Sequence, residues 1–281
     1  MIHCCHARDN DTIGFVKSKQ TLGIINFSMT MQLDEHIRTD YYHVGWQDVD
    51  PEGRITLKAI SQMLQDSAWK HAGQLGFGFD FMQTHQAIWV MFRLHIHIVQ
   101  YPGWDQKIGV TTWTRGLKGA FALRDFEVHN QQDELLISAT SEWLVLGMDD
   151  RKPKKTDLLN KFLPYALPNR KSLALTVAFN MNNELAMLGK HKVTYAELDL
   201  NQHVNTSYYI DWIMNHIPRS LPPNQVIEHF SITFLSECKL DQEIMLKGSF
   251  TEQPYAINGI RTQDNKTVFA AAFHTRKAEG Q

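Results

Sequence analysis

The chain has 281 residues, 43% of them apolar and 21% charged, with a formal net charge of −2. That length suits one large domain or two of roughly 120 to 140 residues; the composition is ordinary globular usage, and no apolar run approaches the roughly 18 residues of a membrane-spanning helix. The charge balance gives no general attraction to nucleic acid, and with no zinc-finger spacing or long basic arm nucleic acid is excluded as a partner.

Residues 1 to 30 contain Asp9, Asp11, Lys17 and Lys19 and no apolar stretch ending in small residues, so they do not read as a secretory signal. A disordered extension or a mis-called start before Met29 and Met31 is expected there. Three cysteines, Cys4, Cys5 and Cys238, make no disulfide framework, which places the chain in a reducing compartment, by default the cytoplasm.

A short strand is expected over about 40–47. A helix follows Thr56, a good N-cap, with Ile60, Met63, Leu64 and Ala68 at helical spacing. Strands follow at 88–99, 106–115, 121–130 and 134–147, and then a connecting stretch, 149–187, opening with the basic DDRKPKK. The pattern restarts with a strand over about 189–196. A second helix after Asn205 carries Tyr209, Trp212, Ile213 and Ile217 and stops at Pro218, and strands follow at 227–236, 242–251, 256–262 and 267–276.

This recurrence is a true repeat. WQDVDPEGRITLKAI from Trp46 lies over YAELDLNQHVNTSYYI from Tyr195 at an offset of 149, and RLHIHIVQYPGWDQKIGV from Arg93 lies over HFSITFLSECKLDQEIML from His229 at an offset of 136. The difference places about 13 extra residues in the first copy, around the glycine-rich QLGFGFDFM at Gln74 to Met82. One helix and about five strands per copy predict an α+β fold, each helix lying across a curved antiparallel sheet. The expected units are 31–148 and 188–281.

Within the second copy Asp199, Asn201, His203 and Asn205 fall on alternate positions, so an extended segment would point four polar side chains one way. The same residue types also form turns by capping their own backbone. At the matching place the first copy has Asp50, Glu52 and Arg54. The fold therefore does not require Asn201 and His203, whereas the shared aspartate argues for a structural share in Asp199.

The repeat and the pieces LDLNQHVNTSYYIDWI (Leu198 to Ile213), FLSECKLDQ (Phe234 to Gln242) and AIWVMFRLHIHIVQYPGWDQKIGVTTW (Ala87 to Trp113) resemble the acyl-acyl carrier protein thioesterases, over about residues 36 to 275. The resemblance implies two tandem hotdog domains and hydrolysis of a long- or medium-chain acyl-acyl carrier protein to free fatty acid. Its motif places the catalytic site at Asp199, Asn201, His203 and Glu237. It also implies that the first domain encloses the acyl chain, with Met63, Leu64, Ala68, Trp69 and Trp89 as candidate lining. No metal or organic cofactor is implied. His95 and His97 share a strand face, but no third ligand is evident for a metal.

Thioester hydrolysis needs an activated water and donors for the oxyanion; the thiol, with a pKa of about 8.5, leaves readily. Glu237 with His203 is the preferred base, Asn201 a holder of the water or the carbonyl. Cys238 is either a nucleophile paired with His203 or a small buried apolar residue, the less and the more favoured reading respectively. Lys118, Arg124, Arg151, Lys152, Lys154 and Lys155 are candidates for docking the acidic acyl carrier protein. The rival readings are an acyl-CoA thioesterase of the same fold and a non-enzymatic acyl-binding sensor. A monomer or a homodimer fits a tandem pair equally.

Overall fold

The computed structural model describes residues 36–154, 157–172, 185–217 and 224–278; the extension expected over 1–30 lies outside them. The strands are β1 (Ile37–His43), β2 (Ala87–Ile98), β3 (Lys107–Lys118), β4 (Phe121–His129), β5 (Leu135–Gly147), β6 (Ala186–Lys192), β7 (Gln225–Phe234), β8 (Glu243–Ser249), β9 (Tyr255–Arg261) and β10 (Thr267–Lys277). They form one antiparallel sheet in the order β1-β3-β4-β5-β2-β7-β10-β9-β8-β6. Read from either edge, this order is the same for the two copies, and the equivalent strands β2 and β7 meet at the centre. The offset of 136 puts His95 over Ser231, and these two are also register partners across the seam. A pseudo-two-fold axis therefore runs through that pair.

The helices are α1 (Leu57–Gln74), α2 (Phe79–Thr84), α3 (Asp157–Asn160) and α4 (Thr206–His216). Thr56 Oγ1 accepts the Ala59 N–H at 3.2 Å and starts α1; Asn205 Oδ1 accepts the Ser207 N–H at 3.0 Å and starts α4. These caps satisfy amides that have no intrahelical acceptor. Ile60, Leu64 and Ala68 of α1 and Tyr209, Trp212 and Ile213 of α4 join one core with Leu94, Ile96, Phe230 and Ile232 of the central strands. Each large side chain so buried contributes about 1.5 to 3 kcal/mol. The helices also touch each other through polar groups: Gln62 Nε2 to Ser207 Oγ at 3.3 Å, Thr206 Oγ1 to Gln65 Oε1 at 2.9 Å, and Lys58 to Asp211 at 3.1 Å.

The extra residues of the first copy lengthen α1 and add α2. Between them Gly76, at φ 81°, takes the left-handed conformation that ends many helices. Phe77 and Met82 then close a smaller core with Val145, Leu159 and Phe162. The α+β expectation holds, but both strands expected to run into the motif end early. Trp46–Asp48 and Tyr195–Glu197 are 3₁₀ turns, because Asp48 and Glu197 accept the Gly45 and Thr194 amides at 2.9 and 2.7 Å and so favour a local turn over pairing.

Candidate active site

The polar motif is not extended. Asp199 Oδ1 accepts the amides of Asn201 at 2.8 Å and His203 at 3.3 Å, the Asp199 N–H donates to the His203 carbonyl at 2.7 Å, and Gln202 is left-handed at φ 61°. The alternate-face expectation is corrected by this tight turn, which Leu198 and Val204 close as a bridge. The first copy folds identically: Asp50 Oδ1 accepts the amides of Glu52 at 3.0 Å and Arg54 at 2.9 Å, with Gly53 at φ 77°. Asp199 thus pins the turn, as Asp50 does, and its second oxygen faces the exposed Asn201 amide at 3.5 Å. Asn205 is committed to capping α4.

The turn aims His203 at Glu237, which stands at the end of β7. His203 Nε2 lies 3.4 Å from Glu237 Oε2. Its Nδ1 faces Arg151 Nη2 at 3.3 Å, and Arg151 Nη1 lies 3.4 Å from Glu237 Oε1. Because a guanidinium only donates, Nδ1 must accept, which puts the ring proton on Nε2, toward the carboxylate. Burial holds the His203 pKa below its ordinary value, against the pull of Glu237 and with the help of Arg151. The imidazole is 11% exposed and Glu237 36%, so of these two the carboxylate is the one open to solvent. Its backbone is anchored by Arg261 Nη1, which donates to the Glu237 carbonyl at 2.8 Å.

In the first copy the matching positions hold Arg54 and Tyr101, the guanidinium 5.9 Å from the ring centroid. The fold brings both pairs together, but only the second includes an imidazole, the side chain suited to proton exchange near neutral pH. Arg151 was missed as a site residue by sequence reasoning, which grouped it with its basic neighbours. It reaches the site because the chain turns sharply after β5, with its N–H donating to the Gly147 carbonyl at 3.1 Å and φ at 53°. No spacing in the sequence signals that turn.

Cys238 is fully buried. Its N–H donates to Tyr209 Oη at 3.1 Å and its carbonyl accepts from Val204 at 2.9 Å; in the first copy the Pro102 carbonyl does the same for Ile55 at 2.8 Å. Burial pushes the thiol pKa up, against the Tyr209 hydroxyl, and both ring nitrogens of His203 face other residues.

A cavity of about 440 Å³ lies in the first half and reaches Asn205. Gln62, Gln65, Asp66, Trp69 and Ala72 form its wall on α1, and Trp89, Arg124 and Trp143 line it from the sheet. Of the candidate lining residues Ala68, Trp69 and Trp89 face it. Met63 and Leu64 do not: they lie on other faces of α1, Leu64 in the core at 1% exposure and Met63 packed against it.

The six basic candidates do not form one patch. Lys118, Lys152 and Lys154 are exposed, Arg151 belongs to the His203 group, and Arg124 is buried at 6% exposure inside the cavity. Lys155 lies outside the described residues. The expectation that His97 lacks further metal ligands is also corrected, since β7 brings His229 and Glu228 so that donor atoms of all three lie within 4.8 Å. Yet the two imidazoles stack at 4.3 Å and 15°, so their in-plane lone pairs run parallel rather than converging on one ion. No helix among the described residues is long and apolar enough to cross a membrane.

Residues 35–159 match the acyl-ACP thioesterase N-terminal domain and residues 182–279 the acyl-ACP thioesterase C-terminal domain. The chain is 28% identical over 233 residues to oleoyl-acyl carrier protein thioesterase 1, chloroplastic, of Arabidopsis thaliana, covering 76% of this chain and 64% of that one. It is 28% identical over 207 residues to dodecanoyl-[acyl-carrier-protein] hydrolase, chloroplastic, of Cinnamomum camphora, covering 69% and 54%. The chain thus spans less than two thirds of these plant proteins. The crystal structure of an acyl-ACP thioesterase from Bacteroides thetaiotaomicron superposes with a TM-score of 0.78 at 20% identity, over 86% of this chain and 99% of that one. The 12:0-ACP thioesterase from Umbellularia californica superposes at 0.70 and 20% identity, over 86% and 97%; these two share the fold. With both family domains matched in order along its length, the chain belongs to the acyl-ACP thioesterase family.

Proposed function

We propose that the protein hydrolyses the thioester of an acyl-acyl carrier protein, with the catalytic groups in the second half and the acyl chain in the cavity of the first. The observation that carries this reading is the Arg151, His203 and Glu237 group beside the turn that leads to Asn205, a residue that also lines the cavity. A water held between Glu237 and the thioester gives its proton to the carboxylate as its oxygen bonds to the carbonyl carbon. Neutral His203, its Nε2–H toward Glu237, orients that carboxylate, and Arg151 fixes the ring from the other side. The contacts of 3.3 to 3.4 Å are long for hydrogen bonds, as is common before substrate binds.

The negative charge that develops on the carbonyl oxygen needs donors. Two are at hand: the Asn201 amide, and the Thr206 N–H at the start of α4, which has no partner among the described residues because the cap takes the Ser207 N–H. When the tetrahedral adduct collapses, the carbon–sulfur bond breaks and the thiolate takes the proton from Glu237, leaving fatty acid and free thiol. Cys238, buried with its thiol against the Tyr209 hydroxyl, has no part in this scheme. Lys152 and Lys154 border Arg151 and are suited to steering an acidic carrier. Cytoplasm remains the compartment proposed from the cysteines.

Measuring free thiol release from matched acyl carrier protein and acyl-CoA thioesters tests the reading. Faster turnover of the carrier thioesters is expected; no hydrolysis of either would overturn it.

A further inference from the structure

The cavity is lined by a cation that no carboxylate among the described residues neutralises. Arg124 on β4 is 6% exposed and lines the cavity. Its Nη1 donates to His71 Nδ1 at 2.8 Å and Thr112 Oγ1 at 3.1 Å; among the described residues the guanidinium makes no other hydrogen bond and pairs with no carboxylate. Burial pushes its pKa down to about 10, so it is still charged at neutral pH. A buried charge is costly unless it is paired and hydrogen-bonded.

Two acids of the same elements are engaged elsewhere. Asp66 lines the same cavity but accepts from Tyr42 at 2.7 Å and Lys70 at 2.6 Å. Asp125, the next residue on β4, points to the other face, where it accepts the Ser172 N–H at 2.8 Å and pairs with Arg115 at 3.4 Å. A purely hydrocarbon chain filling the cavity would exclude water and leave Nε and Nη2 of Arg124 without acceptors. A chain carrying an oxygen would supply them.

Helix α1 measures where that oxygen would sit. Gln65 meets Thr206 at the catalytic end and His71 meets Arg124; the six helical steps from one to the other span about 9 Å at 1.5 Å per residue. We propose that the cavity is a site for an acyl chain bearing an oxygen acceptor toward its tail, a hydroxyl, oxo or carboxylate group, bound by Arg124. This rests on the thioesterase reading and names the class of substrate for it.

The test compares acyl carrier protein thioesters of plain, ω-hydroxy and ω-carboxy chains, matched in length across octanoyl, decanoyl and dodecanoyl. Wild-type protein is expected to favour an oxygenated chain at the best length by roughly 10- to 100-fold in kcat/KM, the effect of a hydrogen bond to a charged group. Arg124→Met should reverse that order. Preference for the plain chain at every length, or an unchanged ratio in a folded Arg124→Met, overturns the proposal. If Arg124→Met does not fold, the wild-type order alone decides. Should no thioester be cleaved, binding of the free acids, read by the fluorescence of Trp69, Trp89 and Trp143 in the cavity wall, separates the two readings. Tighter binding of the ω-hydroxy acid than of the plain acid keeps the Arg124 site while hydrolysis fails; equal or weaker binding removes the site as well.

Discussion

His95 and Ser231 occupy the same position in the two copies, and they meet: His95 Nδ1 lies 2.6 Å from Ser231 Oγ. The contact sits on the pseudo-two-fold axis and joins the halves at the centre of the sheet. Burial, aided by nearby Arg93, pushes the His95 pKa down to about 4, against about 6.5 in an unfolded chain. Between those values the unfolded chain holds a proton that the folded protein does not, so this histidine's share of stability is intact above pH 6.5 and is lost as pH falls toward 4. The loss amounts to about 3 kcal/mol. In His95→Gln that part of the acid dependence should vanish, so denaturant curves of variant and wild type should draw together between pH 7 and 4.5. Parallel pH dependence would assign the acid loss to other groups.

The two copies divide the work unequally. Arg54 stands where His203 stands, but it faces Tyr101 and pairs with Asp50 at 2.9 Å and Glu52 at 3.1 Å. His203→Ala is expected to abolish the single-turnover rate, while Arg54→Ala leaves the chemical step largely intact and costs at most about 1 kcal/mol of stability. Equal losses of rate in two folded variants would contradict that division.

Arg151 lowers the His203 pKa and holds its Nδ1. Removing it in Arg151→Met takes away one of the influences that keep the ring neutral, so the pKa rises and protonation sets in at higher pH. The acid limb of the kcat/KM profile should move up in pH. A fall in rate with an unmoved limb would reduce Arg151 to a packing role.

Lys152 and Lys154 are exposed beside the site. Reversing both to Glu should raise KM for carrier thioesters much more than for acyl-CoA. The difference should shrink with salt, since exposed charges are screened over about 10 Å at 0.1 M. Equal effects on the two substrates would return these lysines to an ordinary solvated connector.

The order of the strands and of the two long helices was readable because apolar periodicity repeats twice with good caps at Thr56 and Asn205, whereas the short helices α2 and α3 were not foreseen. The turn at Asp199 was half readable: the aspartate shared with Asp50 pointed to capping, but alternation alone suggested an extended face, since period-two spacing does not report φ. Gln202 in the left-handed region decides it. Arg151 and Arg124 were misplaced for a common reason. A basic residue in a polar stretch or on a strand reads as solvated, and only register and the turn after β5 bring one to His203 and turn the other into the cavity.

Single-turnover hydrolysis of an acyl-acyl carrier protein by wild type, Glu237→Gln and Cys238→Ala tests the central claim most directly. Glu237→Gln keeps size and hydrogen bonding but removes the base, and its rate should fall by roughly 10² to 10⁴. Cys238→Ala should stay active and lose only about 1 kcal/mol of stability, the scale of a small buried group. A folded but inactive Cys238→Ala, together with an acyl adduct on Cys238 trapped by acid quench and seen by mass spectrometry, would contradict water activation by Glu237 and make the thiol the nucleophile.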